Sequence, residues 1–390
     1  MMQCRCCNAT ISGESLIEYK NMPKSAQFFP DETEAREEKG AMLSLYQCPY
    51  CGMLQLGGEP VSYFRDVIRA TDVSEEMRRF REEQFADWVR RHSLKGKKVL
   101  EVGCGTGGFL ACMEKAGAVA IGMEHGRDSI RTAQKRGLKV FEQYPEREDE
   151  TFEGAPYDGF FIMNFLEHIP EPKVFLRAIA NNLTEEAYGI VEVPNTDMIL
   201  EKSLYSELIQ DHLLYFREDT LRRLLELSGF EVLDCRAIWH DYILSAEVRK
   251  RRRMDVSSFV ERRLRTKKAC DDFFQRMREN GKQCAVWGAG HQALANLSLL
   301  DMKPHIVCVI DSADFKQNKL TPATHIPIVN PKILDEGEIG AILIMAGSYS
   351  EEIRSIVNAR YPAIQCAILR ENGMIDETVF KTSVNMEENC

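Results

Sequence analysis

The chain has 390 residues, a length that accommodates two or three domains. Hydrophobic residues make up 44% of it and charged residues 28%, as in ordinary globular proteins. The formal net charge of −10 argues against a dedicated nucleic-acid-binding protein, because such proteins gain affinity by neutralising phosphates.

The sequence also argues against a membrane protein and a secreted protein. No apolar run approaches the roughly 20 residues that a spanning helix needs, and the first residues lack the pattern of a signal peptide. The 13 cysteines are scattered and odd in number, which fits reduced thiols better than disulfides. We therefore expect a cytoplasmic protein with no membrane and no nucleic-acid partner.

Residues 1–60 form a loop-rich segment with two pairs of cysteines, Cys4-x-x-Cys7 and Cys48-x-x-Cys51. Two thiolates at this spacing can hold one edge of a metal ion, and two such pairs complete a tetrahedral zinc site. Four thiolates leave no open position for a substrate, so the predicted role is structural. Cys6 is an additional thiol that could compete within the first pair, and a set of unrelated reduced cysteines is the alternative.

The next segment, 61–248, begins with a predicted helix over 61–95, because apolar residues recur there at helical spacing. Strand-like runs then alternate with helical patterns, which is typical of a mostly parallel sheet covered by helices. The predicted strands are KKVLEVG, AVAIGME, LKVFEQ, YDGFFIMN and YGIVEVP.

A glycine-rich turn follows the first of these strands in VLEVGCGTGGFL, where Glu101 precedes Gly103, Gly105 and Gly107. Such a turn lets the backbone pass close to a ligand, and Glu124, 21 residues after Gly103, can bind ribose hydroxyls. NAD-binding folds share this geometry with a different glycine spacing. The spacing here resembles motif I of class I SAM-dependent methyltransferases, which have an open seven-stranded sheet and in which these positions contact S-adenosylmethionine (SAM).

The fourth predicted strand ends near Asn164, which the same resemblance places at the cofactor, and Glu167 and His168 follow. The end of that strand faces the reactive methyl group in these methyltransferases. His168 is therefore a candidate base, although a histidine here can equally cap the helix or pack as part of the core.

Residues 249–280 are strongly basic and predict a linking helix, with one apolar face that favours a solvated connector over a nucleic-acid site. A second strand–turn–helix series fills 281–390. In this series WGAGHQA contains Gly288, Gly290 and Ala293, and Asp311 follows at a strand end. Taken by itself, this arrangement meets the dinucleotide-binding fingerprint. The fold class is thus α/β, with two Rossmann-like domains behind a zinc-binding module.

The whole chain resembles the C-methyltransferases of deoxysugar biosynthesis. Three stretches carry the resemblance: the cysteine pairs with YQCPYCGMLQL, the turn in LEVGCGTGGFL, and DSADFKQNKLTPATHIPIVNP over 311–331. These enzymes methylate the carbon next to a ketone of a nucleotide-linked sugar. The resemblance implies that the C-terminal domain binds no NAD, and we expect Gly288, Gly290 and His291 to contact the substrate's nucleotide handle. A purely structural C-terminal domain is the alternative.

In that family a Tyr-x-Glu-His-type segment supplies the base and its partner. Here the matching residues are His212 as the base and Asp211 as its partner, while Ile209 replaces the tyrosine. Histidine suits the role because its ordinary pKa, about 6.5, lies near neutrality. Tyr63 resembles an aromatic position that faces the substrate, although a core tyrosine is an equal alternative. The loss of the tyrosine at position 209 leaves the methylated atom open.

The sequence therefore predicts a SAM-dependent methyltransferase with structural Zn²⁺ and a small-molecule substrate. C-methylation next to a ketone of a nucleotide-linked sugar is the leading hypothesis, and O- or N-methylation of another small molecule is the second. A zinc-dependent binding protein with a degenerate SAM fold and a dehydrogenase built on the C-terminal turn are the remaining alternatives.

Overall fold

The computed structural model describes residues 2–25, 29–65, 74–370 and 373–376. It divides into two compact units, Met1–Arg253 and Met254–Cys390. The segments predicted as a zinc-binding module (1–60) and a methyltransferase domain (61–248) both lie within the first unit.

The cysteine segment forms a short hairpin and most of a small antiparallel sheet. The hairpin consists of β1 (Met2–Gln3) and β2 (Thr10–Ile11). The sheet has the order β11-β5-β4-β3 and contains β3 (Ile17–Met22), β4 (Ala41–Gln47), β5 (Leu54–Leu56) and β11 (Leu214–Tyr215). Its edge strand β11 comes from more than 150 residues later in the chain, so the three strands of this segment are completed by a fourth from the methyltransferase part.

The large sheet of the first unit has seven strands in the order β12-β13-β10-β9-β6-β7-β8. Its strands are β6 (Lys98–Val102), β7 (Val119–Glu124), β8 (Val140–Glu142), β9 (Tyr157–Met163), β10 (Leu183–Pro194), β12 (Phe230–Ile238) and β13 (Ile243–Lys250). All neighbours are parallel except β13, which runs antiparallel to β10 and β12. This confirms the predicted open seven-stranded sheet of the class I methyltransferases.

Helices cover both faces of this sheet, because its central strands are apolar and buried along their length. They are α1 (Glu75–Arg91), α2 (Gly108–Lys115), α3 (Arg127–Lys135), α4 (Pro172–Asn181), α5 (Thr196–Glu201) and α6 (Glu218–Leu227). The helix predicted over 61–95 was too long, since α1 starts after Ser74, whose side chain accepts a hydrogen bond from Met77 N. Residues 62–65 form turns, and residues 66–73 lie outside the described part of the chain.

The second unit is a second mixed sheet, in the order β16-β17-β15-β14-β18-β19-β20. Its elements are α7 (Ser257–Glu279), β14 (Gln283–Trp287), α8 (His291–Leu299), β15 (Cys308–Ile310), β16 (Lys319–Leu320), β17 (Pro327–Val329), β18 (Ile339–Ile344), α9 (Ser350–Arg360), β19 (Gln365–Arg370) and β20 (Gly373–Asp376). Strands β17, β15, β14, β18 and β19 are parallel, as a Rossmann-like domain requires.

The predicted linking helix corresponds to α7, which belongs to the second unit. Only its C-terminal half is buried, through Phe273, Phe274 and Met277, and these side chains join the core of that unit. The single apolar face expected along the helix was wrong for its N-terminal half, where Phe259 and Leu264 are exposed. In the part of the chain that the structure describes, no helix has both the length and the apolarity to span a membrane.

Candidate functional site

The glycine-rich turn joins β6 to α2 at the edge of the large sheet where the parallel strands end. Gly103, Gly105 and Gly107 all have positive φ, a conformation that L side chains rarely adopt. A Cβ on Gly103 would come within 2.8 Å of the ring of Phe165, so the aromatic ring lies directly on the turn. Glu101 is buried in the last residues of β6, beneath the same turn.

Glu124 closes the other side of this region at the end of β7. Its carboxylate accepts hydrogen bonds from the backbone N–H groups of Gly105 (2.7 Å), His125 (2.9 Å) and Gly126 (2.9 Å). These three bonds fix the carboxylate at the mouth of a narrow cleft. A carboxylate held in this position can accept hydrogen bonds from ribose hydroxyls.

The cleft is lined by the turn, Glu124, Phe165 and residues 143–145, and Arg65 lies at its rim. The Arg65 guanidinium stacks 4.5 Å from the Phe64 ring and 5.2 Å from the Tyr144 ring, and it pairs with Glu146 at 2.9 Å. Asn164 adopts a positive φ of 49° just after β9, at the same edge of the sheet. Three features of this region fit SAM. They are a glycine turn that a ligand can approach, the buried Glu101, and Glu124 at the end of the next strand.

Four polar side chains from distant parts of the chain meet beyond Phe165. The Tyr63 hydroxyl donates a hydrogen bond to Asp211 Oδ1 at 2.5 Å, although the two residues are 148 positions apart. The His168 and His212 rings meet edge to face with their centroids 4.8 Å apart. The structure therefore brings together the three predicted catalytic residues and Tyr63.

The tautomer of His168 follows from its hydrogen bond. Its Nδ1 lies 2.8 Å from the backbone carbonyl oxygen of Asp211, and a carbonyl can only accept, so Nδ1 carries the proton. In the neutral ring, Nε2 therefore carries the lone pair. Nε2 lies on the side of Glu167, 3.9 Å from its Oε1.

Both histidines are held in their neutral forms. Burial lowers the pKa of His212 to about 3, and the neighbouring His168 contributes to the shift. Burial also lowers the pKa of His168, against a smaller opposing effect of Asp211. At neutral pH both rings have a lone pair for accepting a proton. The carboxylate of Asp211, which was predicted to support His212, accepts a hydrogen bond from Tyr63, and its carbonyl accepts one from His168.

The cysteine segment positions this group of side chains. Leu56 N donates to the Leu213 carbonyl at 3.0 Å, and β5 pairs with β11 directly after His212. On the opposite side Leu213 N donates to the Glu167 carbonyl at 2.9 Å. Residues 211–213 are thus fixed between the small sheet and the turn that carries His168.

The cysteine pairs themselves come together as predicted. Sγ of Cys4 lies 3.4 Å from that of Cys51, and Sγ of Cys7 lies 3.6 Å from that of Cys48. All four sulfurs lie within 4.8 Å of one another. Tetrahedral zinc with Zn–S bonds of about 2.3 Å places sulfurs about 3.8 Å apart, so this donor set fits zinc.

The second unit carries the predicted substrate-binding residues at the start of α8, where Gly288 and Gly290 flank the turn and His291 begins the helix. Asp311 accepts hydrogen bonds from Ala289 N at 2.8 Å and from the Lys316 ammonium group at 2.9 Å. Its carboxylate is thus neutralised by a cation, unlike the ribose-binding acid of a dinucleotide site. A cleft of about 800 Å³ in this unit is lined by other residues of α8, by residues of α7, by the loop after β18 and by the end of β19.

The sequence missed two residues of the site in the first unit. Phe165 connects the glycine turn to His168, with ring centroids 6.4 Å apart, and Glu167 is buried beside both histidines. The sequence contained a signal for Glu167, because an acid next to a histidine at a strand end is a pattern that suggests a functional site.

Comparisons with known proteins match two successive parts of the chain to family models. A family model described as a methyltransferase domain matches residues 77–234, and one described as a C-methyltransferase C-terminal domain matches residues 245–361. The ubiquinone biosynthesis O-methyltransferase of Aeromonas salmonicida is 27% identical over 192 residues, which cover 45% of this chain and 80% of that protein. The protein of the same name from Bordetella avium is 34% identical over 101 residues, only 24% of this chain and 42% of its own length.

Solved structures match the fold more distantly. A SAM-dependent methyltransferase from Clostridium acetobutylicum is 12% identical with a TM-score of 0.38, and the match covers 47% of this chain and 93% of that chain.

Proposed function

Because the chain belongs to the SAM-dependent C-methyltransferases, we propose that it methylates the carbon next to a ketone of a nucleotide-linked sugar or a related small molecule. The observation that carries this proposal is the meeting of Tyr63, His168, Asp211 and His212 beside the glycine turn. A carbon acid needs a base near the methyl donor and a polar group near the developing enolate oxygen.

SAM, when bound, supplies the methyl group, and we propose that Glu101, Gly103, Gly105, Gly107, Glu124 and Asn164 hold it. The turn residues allow close approach of the backbone, and Glu124 binds the ribose. The aromatic ring of Phe165 lies between the cofactor region and the histidines.

His212 is the first candidate for the base, and His168 is the second. Both are neutral at pH 7, so either ring can accept a proton, and the lowered pKa of about 3 makes His212 a weaker base than an ordinary histidine. Asp211 holds the Tyr63 hydroxyl with its carboxylate and the His168 ring with its carbonyl, which makes it a positioning residue for both. Tyr63, whose hydroxyl proton is donated to Asp211 Oδ1, is the proposed substrate-contacting residue of this group.

The second unit would hold the substrate's nucleotide handle, with Gly288, Gly290 and His291 as the contacting residues. The pairing of Asp311 with Lys316 supports a role other than NAD binding. For the cysteine cluster we propose one structural Zn²⁺, which would keep β5 in place next to β11.

O-methylation of a small molecule is the second candidate. The relatives named ubiquinone biosynthesis O-methyltransferase favour it, and a histidine can deprotonate a hydroxyl as well as a carbon acid. The two candidates differ in the bond that forms, so the product decides between them.

Product mass spectrometry tests the proposal directly. The enzyme is incubated with SAM and a panel of nucleotide-linked keto sugars, and a mass increase of one methyl group on the ring carbon next to the ketone is expected. In heavy water with S-adenosylhomocysteine, which cannot donate methyl, the wild type should exchange that proton. Methylation on oxygen without proton exchange would replace the first candidate by the second.

A further inference from the structure

Glu167, His168 and His212 bring three metal-ligating groups together outside the cysteine cluster. One ligand atom from each lies within 4.8 Å of the other two. Glu167 and His168 are buried, and His212 is partly exposed. From this donor set and geometry we propose that the three residues form a second metal site, which binds a divalent first-row transition metal such as Zn²⁺ or Co²⁺.

The distance between the Glu167 and His168 ligand atoms is close to the ligand–ligand distance around a bound ion. His168 Nε2 lies 3.9 Å from Glu167 Oε1. Two ligand atoms of a tetrahedral site with bonds of about 2.1 Å are separated by about 3.4 Å. A shift of roughly half an ångström, within reach of a carboxylate rotation, would therefore bring this pair to bonding distance.

The second observation concerns the ring nitrogen that faces away from the site. Histidines that bind metals almost always donate their other N–H group to a carbonyl or carboxylate, which fixes the tautomer and the ring orientation. His168 does this through Nδ1, which donates to the Asp211 carbonyl at 2.8 Å. Its Nε2 lone pair is therefore aimed toward Glu167 before any ion arrives.

The ligand types determine the class of metal. Two imidazoles and one carboxylate suit Zn²⁺, Co²⁺, Fe²⁺ or Mn²⁺ better than Mg²⁺ or Ca²⁺, which prefer oxygen ligands only. Three protein ligands leave at least one coordination position open. The ion would differ from the one at the cysteine cluster, where four thiolates close the site.

The consequence for activity rests on the proposed function. Metal binding and proton abstraction require the same imidazole lone pairs. A histidine that binds the metal therefore cannot act as the base at the same time. Occupation of this site by a metal should thus inhibit the methyl transfer that His212 or His168 assists, without affecting SAM binding.

The chain offers a matched control for this site. His240 Nε2 and Glu76 Oε1 are also 3.9 Å apart, but both side chains are about three-quarters exposed. This pair has the same atoms at the same distance without the third ligand and without the fixed tautomer. His240→Ala therefore tests whether any histidine–glutamate pair of the chain binds the added metal.

The experiment measures metal equivalents in the full-length protein with its cysteine cluster loaded. After addition of Co²⁺ and dialysis, the wild type and His240→Ala should hold one more equivalent than Glu167→Gln, His168→Ala and His212→Asn. An ion bound by nitrogen and oxygen lacks thiolate charge-transfer absorption, which distinguishes it from an ion at the cysteines. Circular dichroism and SAM affinity show that the variants are folded.

The proposal is overturned if the wild type binds no further equivalent, or if the three variants keep it. Loss of the additional equivalent in only one variant would also contradict a three-ligand site. Proton exchange or methyl transfer should fall in proportion to occupancy, and unchanged or faster exchange would overturn the inhibition. If no substrate is methylated at all, the proposed function fails while the metal count still tests the site.

Discussion

The molecule contains two glycine-rich strand–turn–helix motifs that resemble each other and differ in what surrounds them. In both, an acid after the second strand binds an N–H group of the turn: Glu124 binds Gly105 N at 2.7 Å, and Asp311 binds Ala289 N at 2.8 Å. The acid thus stabilises its own turn in each unit. A glycine turn followed by an acid at the next strand end is therefore not sufficient evidence for a bound nucleotide.

The surroundings of the two acids separate the motifs. In the first unit a second acid, Glu101, is buried at the end of the preceding strand, where the second unit has the apolar Val286. Burial raises the pKa of Asp311, but hydrogen bonds from Ala313 N, Ala289 N and the Lys316 ammonium group outweigh this and hold it below its usual value. The ammonium group of Lys316 and the N–H of Ala289 share one carboxylate oxygen of Asp311, Oδ2.

The glycines of the two turns are alike in the space around them and differ in backbone conformation. A Cβ on the first glycine of each turn would be blocked: on Gly103 it would lie 2.8 Å from the Phe165 ring, and on Gly288 it would lie 2.7 Å from the Met345 carbonyl oxygen. A Cβ on Gly105 or on Gly290 would meet nothing within 4 Å. Gly105 has a positive φ of 53°, whereas Gly290 has a φ of −77°, so the two turns follow different backbone paths.

The largest difference expected between the two units concerns metal removal. Replacing both Cys48 and Cys51 by Ser should remove one equivalent of zinc and lower the unfolding transition of the first unit only. Structural zinc contributes on the order of 10 kcal/mol in small zinc-binding peptides, because binding is coupled to folding. Calorimetry with elemental analysis measures both effects.

Cys6→Ala is the matched control for this prediction, since Cys6 lies inside the first pair but outside the group of four sulfurs. It should keep the metal. Full metal content and an unchanged first transition in the double variant would show that the cysteines do not form a zinc site.

Replacing one histidine in each unit should separate chemistry from substrate binding. His212→Ala should lower turnover by about 10²–10⁴-fold, the usual contribution of a general base, with SAM affinity close to normal. His291→Ala should instead raise KM, because we place that residue at the substrate's handle. Steady-state kinetics decide, and normal turnover of the His212 variant would assign the base to His168 or elsewhere.

The two acids should differ in their effect on cofactor affinity. Glu124→Ala removes hydrogen bonds to a charged acceptor, worth on the order of 2–4 kcal/mol, and should weaken SAM binding by roughly 30-fold to several hundred-fold. Asp311→Ala should leave SAM affinity unchanged. Calorimetric titration measures both, and equal effects would contradict the assignment of the first motif alone to SAM.

The smallest expected difference is in the pH dependence of stability. Below pH 6.5 the unfolded chain protonates His212 while the folded chain, with a pKa of about 3, does not. Stability of the first unit should therefore fall as the pH drops from 6.5, by at most about 1.4 kcal/mol per pH unit per histidine.

Asp311 in the second unit changes stability in the same direction as His212, but at a lower pH. Its folded pKa lies below the ordinary value of 3.8, so its contribution to stability is complete above that pH and is lost only below it. Denaturant titrations between pH 7 and 4.5 should show a slope in the first unit, which His212→Asn reduces. An equal slope in His212→Asn would indicate that other groups cause it.

Local sequence determined the parts of this protein that depend on spacing along the chain. The cysteine pairs, the turn at Gly103 and the alternation of strands and helices were all predicted correctly as elements. Their physical basis is short-range: two cysteines separated by two residues can reach one ion, and glycines between a strand and a helix allow the chain to turn sharply.

Tertiary structure alone decided which distant groups meet. Only the folded chain brings Tyr63 to Asp211, places β11 in the sheet of the cysteine segment, and sets Lys316 against Asp311. Each of these contacts depends on how sheets and helices pack rather than on neighbouring residues. The same explanation applies to Asp211: it is adjacent to His212 in sequence, but it lies in a turn closed by a hydrogen bond from His212 N to the Ile209 carbonyl, and its carboxylate accepts a hydrogen bond from the distant Tyr63.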